Sequence, residues 1–506
     1  MSSAPTTRRA ARICRAMLPS LPDVLFGVLL LALCARPAGF EALLADGDTG
    51  WHIRTGQLIL QTGRVPAVDV FSFSKAGEPW FAWEWLSDVF FAIAFHWRGI
   101  ACVAALAAAV LCGAATLLFT WLLRRGSGIW IAAAVTLAVF SASSIHYLAR
   151  PHVFSILLYT VSLRILDKDG LSSGRRAWWL IPLTAVWANL HAGFVAVFLP
   201  LALLAAIALA QRHFPEARRY GWLTLLTLAA SLCNPYGWRL DWHIARYLNA
   251  PWILDHVQEF QSPNVRSEGM VVFALLLLAG AGLASRALGR GQWFEGGLVL
   301  VWGFAALRSA RHIPFYAISA APLLASELAL AWGRLAAGSS AKGACRLFWH
   351  AGQELGHSRR VTLWLPLAAL AILAVAPAQA GFPETRFPVR AVERAEKWLA
   401  PWHGTGRLLT SDQWADYVIF RLYPRQLVFF DGRSDFYGPA LGSDYRALMV
   451  AAPDWRELLD RYSFQAALLP RDWPLSTVLG REPGWRQIYE DSVAVLCVRE
   501  TGGALP

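Results

Sequence analysis

Charge is scarce in this chain of 506 residues: 16% are Asp, Glu, Lys or Arg, against about 25% in soluble proteins, and 56% are hydrophobic. That shortage excludes a soluble multidomain protein. Cys-x-x-Cys and His-x-x-x-His spacings are both missing, so the seven cysteines and twelve histidines offer no zinc or redox signature. Cys34, Cys102, Cys112 and Cys233 sit in or beside apolar stretches, which speaks against a disulfide framework. No repeat of the solenoid kind runs through the chain. The net charge of +12 comes from Arg grouped in short loops rather than along one amphipathic face, so no nucleic-acid partner is expected.

What the chain does have is apolar blocks, such as Val24–Leu33, Ala101–Leu123 and Val271–Leu283, each bounded by Arg, Pro or Gly. Their lengths suit a bilayer core. The N-terminus carries Arg8, Arg9, Arg12 and Arg15 ahead of the first block. Leu33 fits poorly before Cys34 as a lipoprotein cleavage box, so the block reads as an uncleaved first helix with its arginines in the cytoplasm. The stretch Trp85–Trp97 is short for a span and reads as an interfacial or re-entrant helix. Counting it as a span would place Arg124 and Arg125 outside, against the positive-inside rule.

Alternation then gives about eleven crossings in a polytopic transmembrane region, residues 1–380. Its first outer loop is 45–83 and a cytoplasmic linker covers 334–360. Residues 382–506 form an extracytoplasmic α/β domain, with strands expected at Arg407–Ser411, Gln426–Phe430 and Ala466–Pro470 and helices at Val389–Leu399 and Asp454–Tyr462. The expected fold is thus a membrane all-α bundle with a soluble α/β domain at its C-terminal end, in a bacterial inner membrane.

This topology gathers Asp46, Asp48, His52, Asp69, Glu84, Arg150, His152, Asn189, His191, Asn234, Arg308, Arg311 and His312 on one face, at outer ends of spans. Solvated loop ends would account for each of them singly. Together, carboxylates, imidazoles and guanidinium groups make the inventory of a catalytic site for an anionic substrate. Asp46-Gly47-Asp48 is the sharpest element. Aspartates in turns often bond only local amides, but acids so spaced can also hold a divalent cation, or one can take a proton from an attacking hydroxyl.

An acidic pair in the first loop, an interfacial helix after it, many spans and a C-terminal domain together resemble the glycosyltransferase C superfamily. That superfamily includes protein O-mannosyltransferases and the lipid A aminoarabinose transferase. Asp46–Ile59, Pro66, Asp69-x-Phe71-Ser72, Trp83-Glu84-Trp85-Leu86, Trp187–His191, Asn234–Gly237, Arg311–Pro314 and Asp431–Gly438 also resemble a set of uncharacterised bacterial membrane proteins grouped near it. The chain departs from many superfamily members in having Trp83-Glu84-Trp85 where they carry His-Pro-Pro, and His152 after Arg150-Pro151 where they carry an acid.

The resemblance implies transfer of a sugar from a polyprenyl-phosphate donor to an extracytoplasmic glycan, lipid or protein, with membrane lipids around the protein. It implies Asp48 or Asp46 as base, and Arg150, Arg308 or Arg311 on the carrier phosphate, for which the guanidinium fork is suited. His52, His152, His191 and His312 would orient substrate or hold a possible divalent metal, and Glu84 would bind substrate. Asp431-Gly432-Arg433-Ser-Asp435 is either a locally paired turn or a contributor of Arg433 or Asp435 to acceptor binding. Two other classes stay open: a flippase for a lipid-linked sugar, for which polar midplane helices or inverted repeats would be expected, and a non-catalytic envelope-polysaccharide assembly protein.

Overall fold

The computed structural model describes residues 18–35, 39–169, 175–267, 269–340, 343–357, 360–377, 380–399 and 406–500. The arginines ahead of the first span lie outside these residues. Each of the eleven apolar blocks read as spans coincides with a helix, from Leu21–Cys34 to Trp364–Val375. Five helical segments among the described residues are long and apolar enough to cross a membrane: Ile100–Arg124, Ile129–His146, Ala192–Ala210, Met270–Gly289 and Ala310–Gly338. The chain is a multi-pass membrane protein.

Local chemistry explains the ends of these helices. At the first, Ser20 Oγ accepts from the Asp23 amide while the Asp23 carboxylate accepts from the Ser20 amide, a reciprocal cap with Pro22 in the first turn. Asp23 also accepts from the Thr362 amide and hydroxyl, which ties the first helix to the start of the last. Helix Ile100–Arg124 lies at the centre. Its alanines, buried at 101, 104, 105, 107 and 108, let neighbouring helices approach closely. Helix Trp85–Arg98 has 14 residues, or about 21 Å at 1.5 Å per residue, well short of a bilayer core.

The C-terminal sheet has four strands in the order β1-β2-β4-β3: β1 Leu408–Thr410, β2 Ala466–Pro470, β3 Trp485–Glu490 and β4 Ala494–Arg499. β1 and β2 are parallel; the other pairs are antiparallel. Because side chains alternate along a strand, Leu408, Ala466, Leu468, Leu496 and Val498 join the core continuous with the helical bundle. Leu409, Ala467, Leu469, Val495 and Cys497 face a second core under helices Ser434–Met449 and Trp455–Arg461.

Two expectations need correction. Gln426–Phe430 is not a strand: only Val428 bridges, to Ser72 on one side and Leu408 on the other. The first loop thereby extends the sheet, with Phe73 donating to the Val428 carbonyl and Val428 to that of Phe71. Strands β3 and β4 escaped the sequence reading. β4, buried along most of its length, shows a continuous apolar run instead of an alternation, which periodicity alone does not separate from a helix segment.

Helix Asp48–Thr62, which follows Asp46-Gly47, packs against helix Asp412–Leu422 of the C-terminal region. Glycine makes this contact possible. A Cβ at Gly47 would stand 2.1 Å from the Gln413 carbonyl oxygen, and one at Gly50 would stand 2.5 Å from that of Asp416. The Gly47 amide donates to Gln413 Oε1 at 2.8 Å.

Candidate active site

Asp46 and Asp48 converge on one guanidinium. Thr49 Oγ1 donates to the Ala149 carbonyl, and the Ala149 amide donates to the Leu43 carbonyl, which fixes the turn carrying Arg150 beside the first loop. Arg150 Nη1 then lies 3.0 Å from Asp46 Oδ2, and Nη2 lies 2.6 Å from Asp48 Oδ2. Nη1 also lies 2.7 Å from Glu259 Oε1. Glu259 sits in the 3-10 turn Gln258–Phe260, after the short helix Pro251–His256, held by the Ser309 hydroxyl on its carbonyl and the Ala310 amide on that of Gln261. Its other oxygen stands 3.8 Å from Arg311 Nη2.

Burial sets the protonation of these groups. Asp48 is 5% exposed, and burial holds its carboxyl up at about 7 against the pull of Arg150, with Asp46 adding repulsion. For Glu259 burial pushes upward too, but Arg150 and Arg311 outweigh it and leave the group below the usual carboxylate range. Arg150 stays charged because its acids overcome its own desolvation.

A second chain of contacts starts at Asp88, whose Oδ1 lies 2.6 Å from His52 Nδ1. His52 Nε2 lies 3.5 Å from Glu84 Oε2, and Glu84 Oε1 lies 3.4 Å from His191 Nε2. The Gly193 amide donates to His191 Nδ1, which leaves the ring proton on Nε2, directed at Glu84. Burial raises Glu84 to about 8 despite Arg150, and it holds His52 neutral.

Two cavities adjoin the cluster. The first, about 170 Å³, is lined by Ile156, Val195, Leu199, Trp302 and Phe315 along its apolar part, and by His146, His152, His191, Glu259, Arg311 and His312 at its polar part. Arg311 lies over the Phe260 ring at 4.3 Å, and its buried Nη1 has no hydrogen-bond partner. The second cavity, about 320 Å³, lies between the first loop, helix Trp238–Leu248 and the Asp435–Pro439 turn. His243 Nε2 donates to Asp435 Oδ2 there at 2.9 Å, with its ring stacked on Phe81. Tyr247 lines both cavities.

Most residues singled out in the sequence meet here, with exceptions. Arg308 is exposed and lines neither cavity. Arg433 is 3% exposed, pairs with Asp431 at 2.6 Å and Asp69 at 2.8 Å, and lines neither cavity, so its contacts match the paired reading of its turn. Asp46, Asp48 and Arg150 are one side chain removed from the first cavity, joined to it through Glu259. Asn189 and Asn234 hold neighbouring segments in place: Asn189 donates to the Ala185 and Cys233 carbonyls and accepts from Trp85 Nε1, and Asn234 accepts from the Tyr236 amide. His152 donates to the His146 carbonyl and His312 to that of Ala305, leaving one free nitrogen on each ring.

A divalent cation does not fit. The position between Asp46 and Asp48 is filled by the Arg150 guanidinium, and no group of three His, Cys, Asp or Glu side chains among the described residues is arranged to hold a metal. Asp88, Glu259, Asp416 and Ser155, whose hydroxyl lies 2.7 Å from His191 Nδ1 at the first cavity, were missed. Asp88 alone left a trace, one helical turn from Glu84 on the short helix.

The bundle with its small C-terminal sheet is similar in fold to solved membrane proteins. One solved structure that it resembles is the archaeal oligosaccharyltransferase AglB from Archaeoglobus fulgidus, in complex with an inhibitory peptide and a dolichol-phosphate. The TM-score is 0.57 at 11% identity, over 89% of this chain and 69% of that one. Another is ArnT from Cupriavidus metallidurans bound to undecaprenyl phosphate, at a TM-score of 0.50 and 13% identity, over 98% of both chains. No family model and no curated protein matches, so the likeness resides in the fold and not in the sequence.

Proposed function

We propose that the protein is an inverting glycosyltransferase that takes a sugar from a polyprenyl-phosphate carrier and passes it to an acceptor hydroxyl outside the cytoplasm of a bacterial cell. The observation that carries this reading is the continuous run Asp48–Arg150–Glu259–Arg311, which links a buried carboxylate to a cationic head above an apolar cavity. An amphiphile with a phosphate head matches that shape: the chain lies among Ile156, Leu199, Trp302 and Phe315, and the phosphate meets the unpartnered Arg311 Nη1. The fold neighbours, complexed with dolichol-phosphate and undecaprenyl phosphate, support the same carrier chemistry.

In this reading the phosphate competes with Glu259 for Arg311 and Arg150, which frees Asp48. The acceptor enters by the second cavity, where Asp435, His243 and the rings of Trp80 and Phe81 suit a polar, hydroxylated ligand. Its oxygen attacks the anomeric carbon as its proton passes to the Asp48 carboxylate. The bond from that carbon to the phosphate oxygen breaks, and the carrier phosphate departs with the electron pair, stabilised by Arg311. Asp46 holds the Asp48 backbone through its amide and shares Arg150. His191 borders the first cavity, and Glu84 stands behind it at 3.4 Å.

Purified protein assayed with a panel of polyprenyl-phosphate sugars tests the proposal. Asp48→Asn abolishes transfer with donor binding intact, and Arg311→Gln weakens donor binding while Arg308→Gln leaves it unchanged. Full activity in Asp48→Asn removes Asp48 as the base. No transfer or hydrolysis of any donor by the parent protein refutes the enzyme assignment.

A further inference from the structure

One contact of Asp48 remains unused in that mechanism. Its Oδ2 faces Arg150, whereas Oδ1 points the other way, is buried, and has no hydrogen-bond donor from any amide or cation. On that side stands Asp416, on helix Asp412–Leu422, fully buried, with Oδ1 accepting from the Gly432 amide at 3.1 Å and Oδ2 likewise without a donor. The two orphan oxygens share one small space. A Cβ at Gly432 would lie 2.1 Å from Asp48 Oδ1 and 2.7 Å from Asp416 Oδ2, so only glycine leaves room for them to meet.

Two carboxylates cannot both be ionised in such a space without a cation between them. None is available: Arg150 already serves Asp46, Asp48 and Glu259, and Arg433 serves Asp431 and Asp69. We propose that Asp416 and Asp48 share one proton, with the Asp416 carboxyl donating to Asp48 Oδ1. Asp416 is then a positioning residue for the base, and helix Asp412–Leu422 of the C-terminal region completes the active site.

The other groups facing the pair agree. Asp46, Glu259 and Arg150 face Asp48 from the first loop and the outer loops. Asp431 faces Asp416, and Asp412 lies one turn before it, bonded to Tyr445. Glu84, His52 and Asp88 lie on the side of helix Trp85–Arg98. Burial and then Asp48 push the Asp416 carboxyl well above the ordinary range, and the bond from Asp416 acts on Asp48 in the opposite direction. The proton therefore resides on Asp416 and the charge on Asp48, the form in which a base is ready.

The inference rests on Asp48 as base, and two readouts separate the two ideas. The first is infrared difference spectroscopy of the full-length parent against Asp416→Asn near pH 7, which needs no catalysis. A protonated-carboxyl band present in the parent and absent from the variant is expected; its absence from the difference overturns the shared proton, whatever the activity. The second is the pH profile of transfer. Asp416→Asn keeps a neutral donor to Oδ1, weaker than the carboxyl it replaces, so the acid limb moves up by about half a pH unit or less with the rate at pH 7.5 changed only a few-fold. Asp416→Leu leaves Oδ1 unpaired, moves the limb up, and lowers the rate near pH 7 by about tenfold. Acid limbs in both variants that coincide with the parent's overturn the positioning role. Activity in Asp48→Asn, by contrast, removes the base assignment and leaves the infrared result to decide the proton.

Discussion

Gly47→Ala isolates the contact between the acidic pair and the C-terminal region. Gly47 has φ −65° and ψ −31°, ordinary helical values that alanine adopts freely, so no backbone strain enters. Without a clash, alanine would stabilise by about 0.4–1 kcal/mol through the unfolded chain. The ideal Cβ, however, stands 2.1 Å from the Gln413 carbonyl oxygen, a backbone atom within a helix, and 3.0 Å from Asp416 Cβ. Helix Asp412–Leu422 must recede by about 1 Å or more, at an overpacking cost of about 1–3 kcal/mol, so the clash outweighs the gain. Spread over a chain of 506 residues, a net loss of about 1–2 kcal/mol moves a melting midpoint by only a degree or two. Melting is therefore a poor assay. Geometry is a sensitive one, because a displacement of about 1 Å can cost about a hundredfold in rate. Transfer should fall by about that factor, with expression and donor binding near normal. Gly113→Ala, where nothing lies within 4 Å of the added carbon, is the control. A Gly47→Ala protein with at least half the parent rate refutes the close-contact account.

Three further outcomes are expected. Cysteines placed at Gly63 and Ser443 react with an impermeant thiol reagent from outside the cell and one at Ser340 does not, in a background with the exposed Cys233 replaced; labelling at Ser340 refutes the proposed orientation. Arg433→Gln leaves Asp431 and Asp69 buried with their cation gone, so folding yield and detergent stability drop by about 3–5 kcal/mol, and normal yield counts against the structural role. Between about pH 6.5 and 8 stability falls as pH rises: Asp48, near 7, and Glu84, near 8, bind protons in the folded state that the unfolded chain has already released, and unfolding midpoints in detergent that rise over this window contradict it.

Sequence by itself determined the bundle. Composition and the length of apolar blocks are local properties, and a bilayer reads them locally, so each block from Val24–Leu33 onward reappears as a helix. The residue types of the site were legible for the same reason: Asp46, Asp48, His52, Glu84, Arg150, His191, Arg311 and His312 stand at ends of helices, where polar side chains are tolerated. Their partners were not legible. Gly47 meets Gln413 across 366 positions, and Arg150 meets Glu259 across 109, with no periodicity to announce either. Tertiary structure alone decided that Arg433 is buried between two aspartates, that Arg308 faces outward, and that Asp416 stands against Asp48. What a carboxyl does depends on the charges and donors around it in space, and those are assembled only when the C-terminal region closes on the first loop.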